Sequence, residues 1–209
     1  MGNNNSKQIL LSILGVLVLI IAVIGVSFAA FSYTGIGSKT NSITTGTISM
    51  SYSEVTSGIL LEDALPISDS QGMALSGTNN VFDFTVKADI NGSGTTTINY
   101  TITALKEADS TLPDNAIKVY LTNTDNSSEA EVLEPTVVSN LTKTTGNEAS
   151  LVPSGELLLA SETVSSTNTN TSVTHNYRLR MWVDQDFSDL NASGSYRLRV
   201  NVYGAAAAQ

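Results

Sequence analysis

The chain contains no cysteine in its 209 residues. This absence excludes disulfide bridges, thiolate nucleophiles and thiolate zinc sites. The fold must therefore be held by a packed hydrophobic core, and about 175 residues remain for one after the N-terminal apolar segment is set aside. Abundant Ser, Thr, Asn and Gly favour short strands joined by many turns over long helices.

Basic residues and histidine are also scarce. Ten Lys and Arg stand against 19 Asp and Glu, which leaves a formal charge of −9. A nucleic-acid partner is excluded because phosphate binding needs a basic surface. The single histidine, His175, has no H-E-x-x-H or G-x-S-x-G motif around it. Because zinc hydrolases usually need two or three histidines, we expect no enzyme activity and no cofactor, and we interpret His175 as an ordinary strand-end residue.

Charge is absent from one long run near the N-terminus. Residues 9–28 read ILLSILGVLVLIIAVIGVSF, and twenty helical residues span about 30 Å, the thickness of a bilayer core. This run is either a signal peptide or an uncleaved signal-anchor helix. Ser27 and Ala29 fit the small positions before a cleavage site, so cleavage is predicted after Ala29, with Ala30 next.

The remaining chain shows an apolar–polar alternation with a period of two, which is typical of half-buried strands. The predicted inward residues are Phe82, Phe84, Val86, Ala88, Ile90, Ile98, Tyr100, Ile102, Ala104, Ile117, Val119, Leu121, Tyr177, Leu179, Met181, Val183, Tyr196, Leu198, Val200 and Val202. Residues 80–90 and 95–105 flank the turn signal NGSG and are predicted to form a hairpin. Pro135 indicates a sheet edge or a strand break.

About seven to nine such strands favour an all-β fold, an antiparallel two-sheet sandwich of jelly-roll or Ig-like type. The predicted organisation is a signal peptide or anchor over residues 1–29, one sandwich domain over 30–204 and a tail over 205–209. Residues 57–79 and 142–153 are predicted to be mobile loops, and residues 161–172 are predicted to be an exposed low-complexity stretch.

Three carboxylates cluster in the sequence DQDFSDLNASG, at Asp184, Asp186 and Asp189. Oxygen ligands at this spacing are compatible with Ca²⁺, but the loop lacks the glycine and the final glutamate of an EF-hand. Two interpretations stay open, a calcium site and a solvated turn.

Four arginines alternate on the predicted outward faces of the last two strands, together with the only tryptophan. They are Arg178, Arg180, Arg197 and Arg199, with Trp182. If the two strands pair, these arginines form a basic ladder that needs acidic neighbours. Exposed Arg and Trp are favoured at protein contacts, so this set is the candidate interaction face; ordinary ion pairing within the domain is the alternative.

The junction FAAF at residues 28–31 is followed by a short polar stretch and by the strand SITTGTISMSYSE. Ile43 stands near the start of that strand, while Ile48, Met50 and Tyr52 follow in a second phase, which predicts a bulge near Gly46. Over residues 20–90 the chain resembles the TasA/camelysin family of exported bacterial proteins.

The resemblance implies a jelly-roll domain, export by the general secretory route and processing by a SipW-type signal peptidase. It also implies that the freed N-terminal segment, with Ile43, Ile48, Met50 and Tyr52, pairs as a donor strand with another copy in biofilm-matrix fibres. Camelysin relatives have been classed as metallopeptidases, but with one histidine and no zinc motif no catalytic residue is carried over.

Three hypotheses result. The leading one is an exported, non-enzymatic structural protein of the cell surface or biofilm matrix that self-associates or contacts other surface proteins. The second is a binding or adhesion module that stays anchored in the membrane through residues 9–28. The third is a camelysin-like metallopeptidase.

Overall fold

A computed structural model describes most of the chain after the N-terminal apolar run. The described residues are Leu14, Val16, 32–36, 41–45, 48–54, 58–77, 80–90, 96–147, 152–166, 171–188 and 194–206. Most of the predicted span over residues 9–28 therefore lies outside them, as do the predicted cleavage residues Ala29 and Ala30. Within the described ranges, no helix is both long enough and apolar enough to cross a membrane.

Strands account for most of the described residues. In chain order they are β1 (Ser32–Ile36), β2 (Asn41–Thr45), β3 (Ile48–Glu54), β4 (Ile59–Glu62), β5 (Pro66–Ile67), β6 (Val81–Ile90), β7 (Thr96–Lys106), β8 (Ile117–Asn123), β9 (Ala130–Val137), β10 (Lys143–Asn147), β11 (Val152–Ser166), β12 (Thr171–Asp184) and β13 (Ser195–Ala206). A short helix, α1 (Asp69–Met73), follows β5, and 3₁₀ turns precede β8 and β10. The all-β prediction is confirmed.

The strands form two sheets. Sheet A has six strands in the order β1-β13-β7-β11-β10, with β4 beside β1 on the same edge of β13. Sheet B has seven strands in the order β2-β3-β6-β12-β8-β9, and β5 runs parallel to the end of β12. All other pairings are antiparallel.

One hydrophobic core lies between the two sheets. Sheet A contributes β7, β11 and β13, and sheet B contributes β6, β8 and β12. Every residue that the alternation places inward, from Phe82 to Val202, is at most 4% exposed. The predicted inner faces of these strands are therefore confirmed.

The predicted hairpin of residues 80–90 with 95–105 is wrong. These segments are β6 and β7, and β6 pairs with β3 and β12 in sheet B while β7 pairs with β11 and β13 in sheet A. Alternation specifies which face of a strand is buried, but two strands with inward faces satisfy it equally well from opposite sheets.

The segments predicted to be loops carry much of the edge structure. Residues 57–79 hold β4, β5 and α1, and residues 142–153 hold β10 and the start of β11. The strand predicted over SITTGTISMSYSE is a hairpin of β2 and β3, in which Ile43 lies opposite Met50 and Thr45 opposite Ile48. Gly46, where a bulge was expected, lies outside the described residues.

Pro135 confirms the expectation of a sheet edge. It lies in β9, the outermost strand of sheet B, and the pairing register of β8 and β9 shifts beside it. At the other end of the chain, β13 continues to Ala206 and pairs there with Ile98, which is two residues past the predicted end of the domain at residue 204.

Candidate interaction surfaces

The first two strands, β1 and β2, lie at sheet edges. β1 ends sheet A and pairs only with β13, between Ser32 opposite Ala205 and Ile36 opposite Asn201. β2 ends sheet B, and the β2–β3 hairpin joins the domain through β6. Residues 32–54 therefore supply the outermost strands of both sheets on one side of the sandwich.

The donor-strand candidates occupy positions opposite the core strand β6. Ile48 lies opposite Ile90, Met50 opposite Ala88 and Tyr52 opposite Val86, and Ile43 lies on β2 opposite Met50. In this structure the segment completes the chain's own sheet B. Donation to a second copy, which stays a prediction, thus requires these same pairings to be exchanged between chains.

The predicted arginine ladder does not form. β12, with Arg178 and Arg180, belongs to sheet B, while β13, with Arg197 and Arg199, belongs to sheet A. The strands are consecutive in the chain but lie in opposite sheets, so these arginines face different sides of the molecule. Each pair finds acidic neighbours within its own surroundings, which is the alternative that the sequence left open.

On sheet B, the arginines of β12 converge on Glu129. Arg178 donates from Nε and Nη2 to Asp83 at 2.7 and 2.8 Å, and from Nη1 to Glu129 at 3.1 Å. Arg180 donates to both carboxylate oxygens of Glu129 at 2.7 and 3.0 Å and to the Leu75 carbonyl at 2.8 Å. The hydrogen bonds from Arg180 are the main reason why the pKa of Glu129 is lowered.

This cluster of Arg178, Arg180 and Glu129 stabilises the domain and offers little accessible surface to a partner. Arg180 is only 5% exposed, and its guanidinium group donates to the Leu75 carbonyl and to both oxygens of Glu129. The hydrogen bond to Asp83 is the leading reason why the pKa of Arg178 is raised. Both guanidinium groups already have carboxylate partners within the domain, and Arg180 also donates to the Leu75 carbonyl and the Thr122 hydroxyl.

The prediction that Trp182 is exposed is wrong. It does lie on the outer side of sheet B, opposite Lys118, yet it is 1% exposed. Gly72 of α1 is seated against the indole ring, where even a Cβ atom would clash. Ser68 and Gln71 form a capping box that starts α1 at this point. A five-residue helix was not visible in the strand pattern, and it removes Trp182 from any interaction face.

On sheet A, the arginines of β13 meet the turn after β7. Arg199 Nε lies 3.0 Å from Glu107 Oε1, and Arg197 Nε lies 3.7 Å from Asp109 Oδ2. These pairs are partly exposed, so each contributes little to stability. The candidate face of Arg178, Arg180, Trp182, Arg197 and Arg199 is thus not one continuous surface.

The first carboxylate of the candidate calcium loop faces a lysine. Asp184 lies 3.3 Å from the Lys118 ammonium, which also contacts Asp69 at 2.9 Å. Asp186 is exposed, and Asp189 lies outside the described residues. Among the described residues, no group of three His, Cys, Asp or Glu side chains is arranged to hold a metal ion. The calcium site stays a prediction without support from this geometry.

His175 belongs to a polar cluster at one end of the sandwich. Its Nδ1 lies 2.8 Å from Asp125, which also accepts from the Asn176 backbone N–H at 2.6 Å. Burial alone would raise the pKa of Asp125, but these hydrogen bonds outweigh it and the pKa is lowered. The His175 ring stacks 6.4 Å from that of Tyr100. Asp125 thereby fastens the end of β8 to β12.

Two tyrosine hydroxyls join the sheets beside this cluster. Tyr100 of sheet A and Tyr177 of sheet B share a hydrogen bond of 2.6 Å in the core. Burial raises the pKa of Tyr177 to about 12 and also raises the pKa of Tyr100. Both phenols therefore stay neutral at physiological pH.

A buried carboxylate on sheet A was not foreseen. Glu156 is 7% exposed and accepts hydrogen bonds from Thr103, from Asn201 at 3.1 Å and from Tyr203 at 2.8 Å. These donors come from β7 and β13. The sequence around Glu156, SGELLLA, carries no signal for this cluster because its partners are brought together only by sheet pairing.

No family model and no curated protein matches the chain. Comparison with solved structures finds similarity to the trimeric lipoprotein SadB of Salmonella enterica, at 7% identity and a TM-score of 0.23, covering 87% of this chain and 74% of that one. The carbohydrate-binding module TmCBM61, solved with β-1,4-galactotriose, is 10% identical with a TM-score of 0.22, covering 74% and 86%.

A third similar structure is the K3 adhesin domain of Lys-gingipain from Porphyromonas gingivalis. It is 14% identical with a TM-score of 0.22 and covers 75% of this chain and 74% of that domain. Likenesses this weak carry no argument about function. The description of the fold as a two-sheet sandwich rests on the strand pairing and the core given above.

Proposed function

We propose that this protein is an exported, non-enzymatic structural protein of the cell surface or biofilm matrix, which assembles with copies of itself through its N-terminal segment. The observation that supports this most is the position of residues 32–54, which supply one edge strand of each sheet, β1 in sheet A and β2 in sheet B. An added strand gains main-chain hydrogen bonds along a sheet edge, so the same pairings are available to a second copy.

The composition of the segment also supports exchange. Residues 32–54 read SYTGIGSKTNSITTGTISMSYSE and contain only Lys39 and Glu54 as charged residues. The segment also holds three glycines, and Gly-rich strands have weakly specified pairing and are prone to swapping. A head-to-tail exchange of this kind does not close on itself and builds an open-ended polymer.

Processing is tested by the intact mass and N-terminal sequence of the protein from its native host, in both cell envelope and medium. A chain that begins at Ala30 or Phe31 outside the membrane is the expected result. A chain that still begins at Met1 and occurs only with membrane would instead favour the anchored binding module, whose supporting feature is the apolar run of residues 9–28.

Exchange is tested with introduced cysteines, since the natural chain has none. Ser51 lies opposite Lys87, so Ser51→Cys in one chain and Lys87→Cys in another should cross-link only if β3 pairs with the β6 of a different copy. Both cysteines in one chain should lock β3 to its own β6 and prevent strand exchange between copies. Ser51→Cys with Thr85→Cys is the matched control, because these positions are out of register.

The peptidase alternative has a separate test. Camelysin-like activity would appear as casein hydrolysis that a chelator abolishes, and we expect the purified protein to show no such hydrolysis.

A further inference from the structure

Two strands have an uncovered edge at the same end of the sandwich. In sheet A, β10 pairs with β11 as far as Leu157, and the Leu158 N–H donates to the Thr142 carbonyl at 2.8 Å. In sheet B, β8 pairs with β12 only from Tyr177 onward. Beyond that point Thr124 donates to the Asn176 carbonyl at 2.8 Å, and Asp125 accepts from the Asn176 N–H and contacts His175. Within the described part of the chain, no strand pairs with residues 159–166 or 171–175 on this side.

The uncovered part of β11 and the strand β1 form the two opposite edges of sheet A at the same end of the sandwich. Thr34 pairs with Tyr203, Tyr203 with Thr101, and Thr101 with Ser161. The neighbouring row runs from Ser32 through Ala205 and Asn99 to Thr163 by the same pairings. At this end, sheet A thus has four strands, with β1 at one edge and β11 at the other.

In sheet B, β2 and the uncovered part of β12 likewise form opposite edges at the same end. Ser42 pairs with Ser51, Ser51 with Lys87, and Lys87 with Thr174. At this level β2 forms one edge and β12 the other. The two sheets are at the same end of the molecule, because His175 of β12 stacks on Tyr100 of β7 and β1 contacts β3 on the opposite side.

The strand directions allow one copy to extend the next. Each sheet has four antiparallel strands at this level, so β1 runs opposite to β11, and β2 runs opposite to β12. When a second copy is placed beside the first and rotated to follow the twist of the sheets, its β1 meets β11 antiparallel and its β2 meets β12 antiparallel. Both sheets would then continue across the boundary at once.

We infer that the uncovered edges of β11 and β12 are the docking surface for β1 and β2 of a second copy of this chain. The contact is heterologous and leaves a free edge at each end, so it propagates. It differs from strand exchange, because β1 and β2 stay paired with their own β13 and β3. The inference rests on the proposed self-assembly and specifies where the next copy is received.

The residues of these edges suit this role. Residues 159–166 and 171–175 read LASETVSS and TSVTH, with Glu162 as the single Asp, Glu, Lys or Arg among them and with no proline. Ser161, Thr163, Ser172 and Thr174 are exposed. Natural proteins usually block open edges with charges, proline or bulges, as β9 does with Pro135 and its register shifts. The β11 and β12 edges lack proline and carry little charge.

The test uses the full chain, expressed in its native host, with single cysteines in separate chains that are then mixed. Thr34→Cys should cross-link to Ser161→Cys, and Ser42→Cys to Thr174→Cys, in the assembled fraction. Thr163→Cys covers a register shifted by two residues. Ser154→Cys is the matched control, because it lies on the part of β11 that β10 covers, opposite Thr145.

A second pair of variants tests the edges without cross-linking. Ser161→Lys and Thr174→Lys place a charge on each open edge and should abolish sedimenting polymer, whereas Ser154→Lys should leave it unchanged. The fluorescence of the single tryptophan and the amount of exported monomer show whether each variant is folded.

The outcomes separate the two proposals. Polymers that cross-link between copies through Ser51→Cys and Lys87→Cys, but never through the edge pairs, would overturn the edge inference and leave the proposed function standing. Edge cross-links in polymers whose β3 is locked to its own β6 would support the inference directly. An exported protein that remains monomeric under all conditions would overturn both.

Discussion

At the scale of single residues, Gly72 is a position where packing leaves no room for even a Cβ atom. It lies on α1 directly against the ring of Trp182, and the tryptophan is 1% exposed beneath it. An alanine there gains about 1 kcal/mol in helix propensity. A methyl group forced into a filled contact usually costs more than that gain, because neighbouring groups must shift.

We therefore predict that Gly72→Ala lowers the free energy of unfolding by about 1–3 kcal/mol. Denaturant unfolding followed by Trp182 fluorescence measures this directly, since the chain has a single tryptophan. Gly77→Ala is the matched control, because a Cβ atom at Gly77 meets nothing within 4 Å. Equal stability of Gly72→Ala and the natural protein would mean that α1 is not held against the indole.

At the scale of elements, Glu129 holds together parts of the chain that do not pair as strands. It precedes β9, binds Arg178 and Arg180 of β12, and shares Arg180 with the carbonyl of Leu75 after α1. Removing one member of a largely buried ion pair leaves the other without compensation. Arg180 is the buried member of this pair, so the main cost of removing the Glu129 carboxylate is a buried guanidinium charge without its partner.

Glu129→Gln should lower the free energy of unfolding by about 2–3 kcal/mol at neutral pH. Because folding lowers the pKa of Glu129 below its ordinary 4.5, its stabilising effect is present above that value and is lost as the pH falls through the folded-state pKa. The difference between the two proteins should therefore shrink progressively below about pH 4.5. Urea titrations from pH 7 down to pH 3 measure it, with Glu134→Gln, an exposed carboxylate of β9, as the control. A difference that is independent of pH would contradict the ionic origin.

At the scale of the whole molecule, the hydroxyl pair of Tyr100 and Tyr177 is a polar link between two sheets that otherwise meet through apolar side chains. A buried hydroxyl without a partner is costly, whereas replacing both partners by apolar groups of similar shape is nearly neutral. The hydrogen bond therefore adds little to the total stability, but any misalignment of the sheets that breaks it leaves buried hydroxyls unpaired and costs free energy.

Tyr100→Phe and Tyr177→Phe should each cost about 1–2 kcal/mol, and the double variant should cost no more than either single one. Thermal and denaturant unfolding of the natural protein, the two single variants and the double variant gives the double-mutant cycle. Additive losses would show that the hydroxyls act independently and do not couple the sheets.

The sequence by itself determined the class of the fold and the buried face of each major strand. The alternation from Phe82 to Val202 predicted every one of those core residues, because side chains of a strand point alternately to its two faces. Pro135 marked a true sheet edge for an equally local reason, since proline lacks the N–H that an inner strand needs.

Only the tertiary structure decided which strands are neighbours and what covers their outer faces. β6 and β7, like β12 and β13, follow each other in the chain yet lie in opposite sheets. Trp182 looked exposed from its phase, but α1 buries it, and Glu156 acquired its partners from β7 and β13. Strand pairing and the burial of outer sheet faces depend on contacts between residues far apart in the chain. The two-residue alternation of apolar and polar residues along one strand carries no information about such contacts. For the same reason, the level match of β1 with β11 and of β2 with β12 became visible only once the strands were assembled.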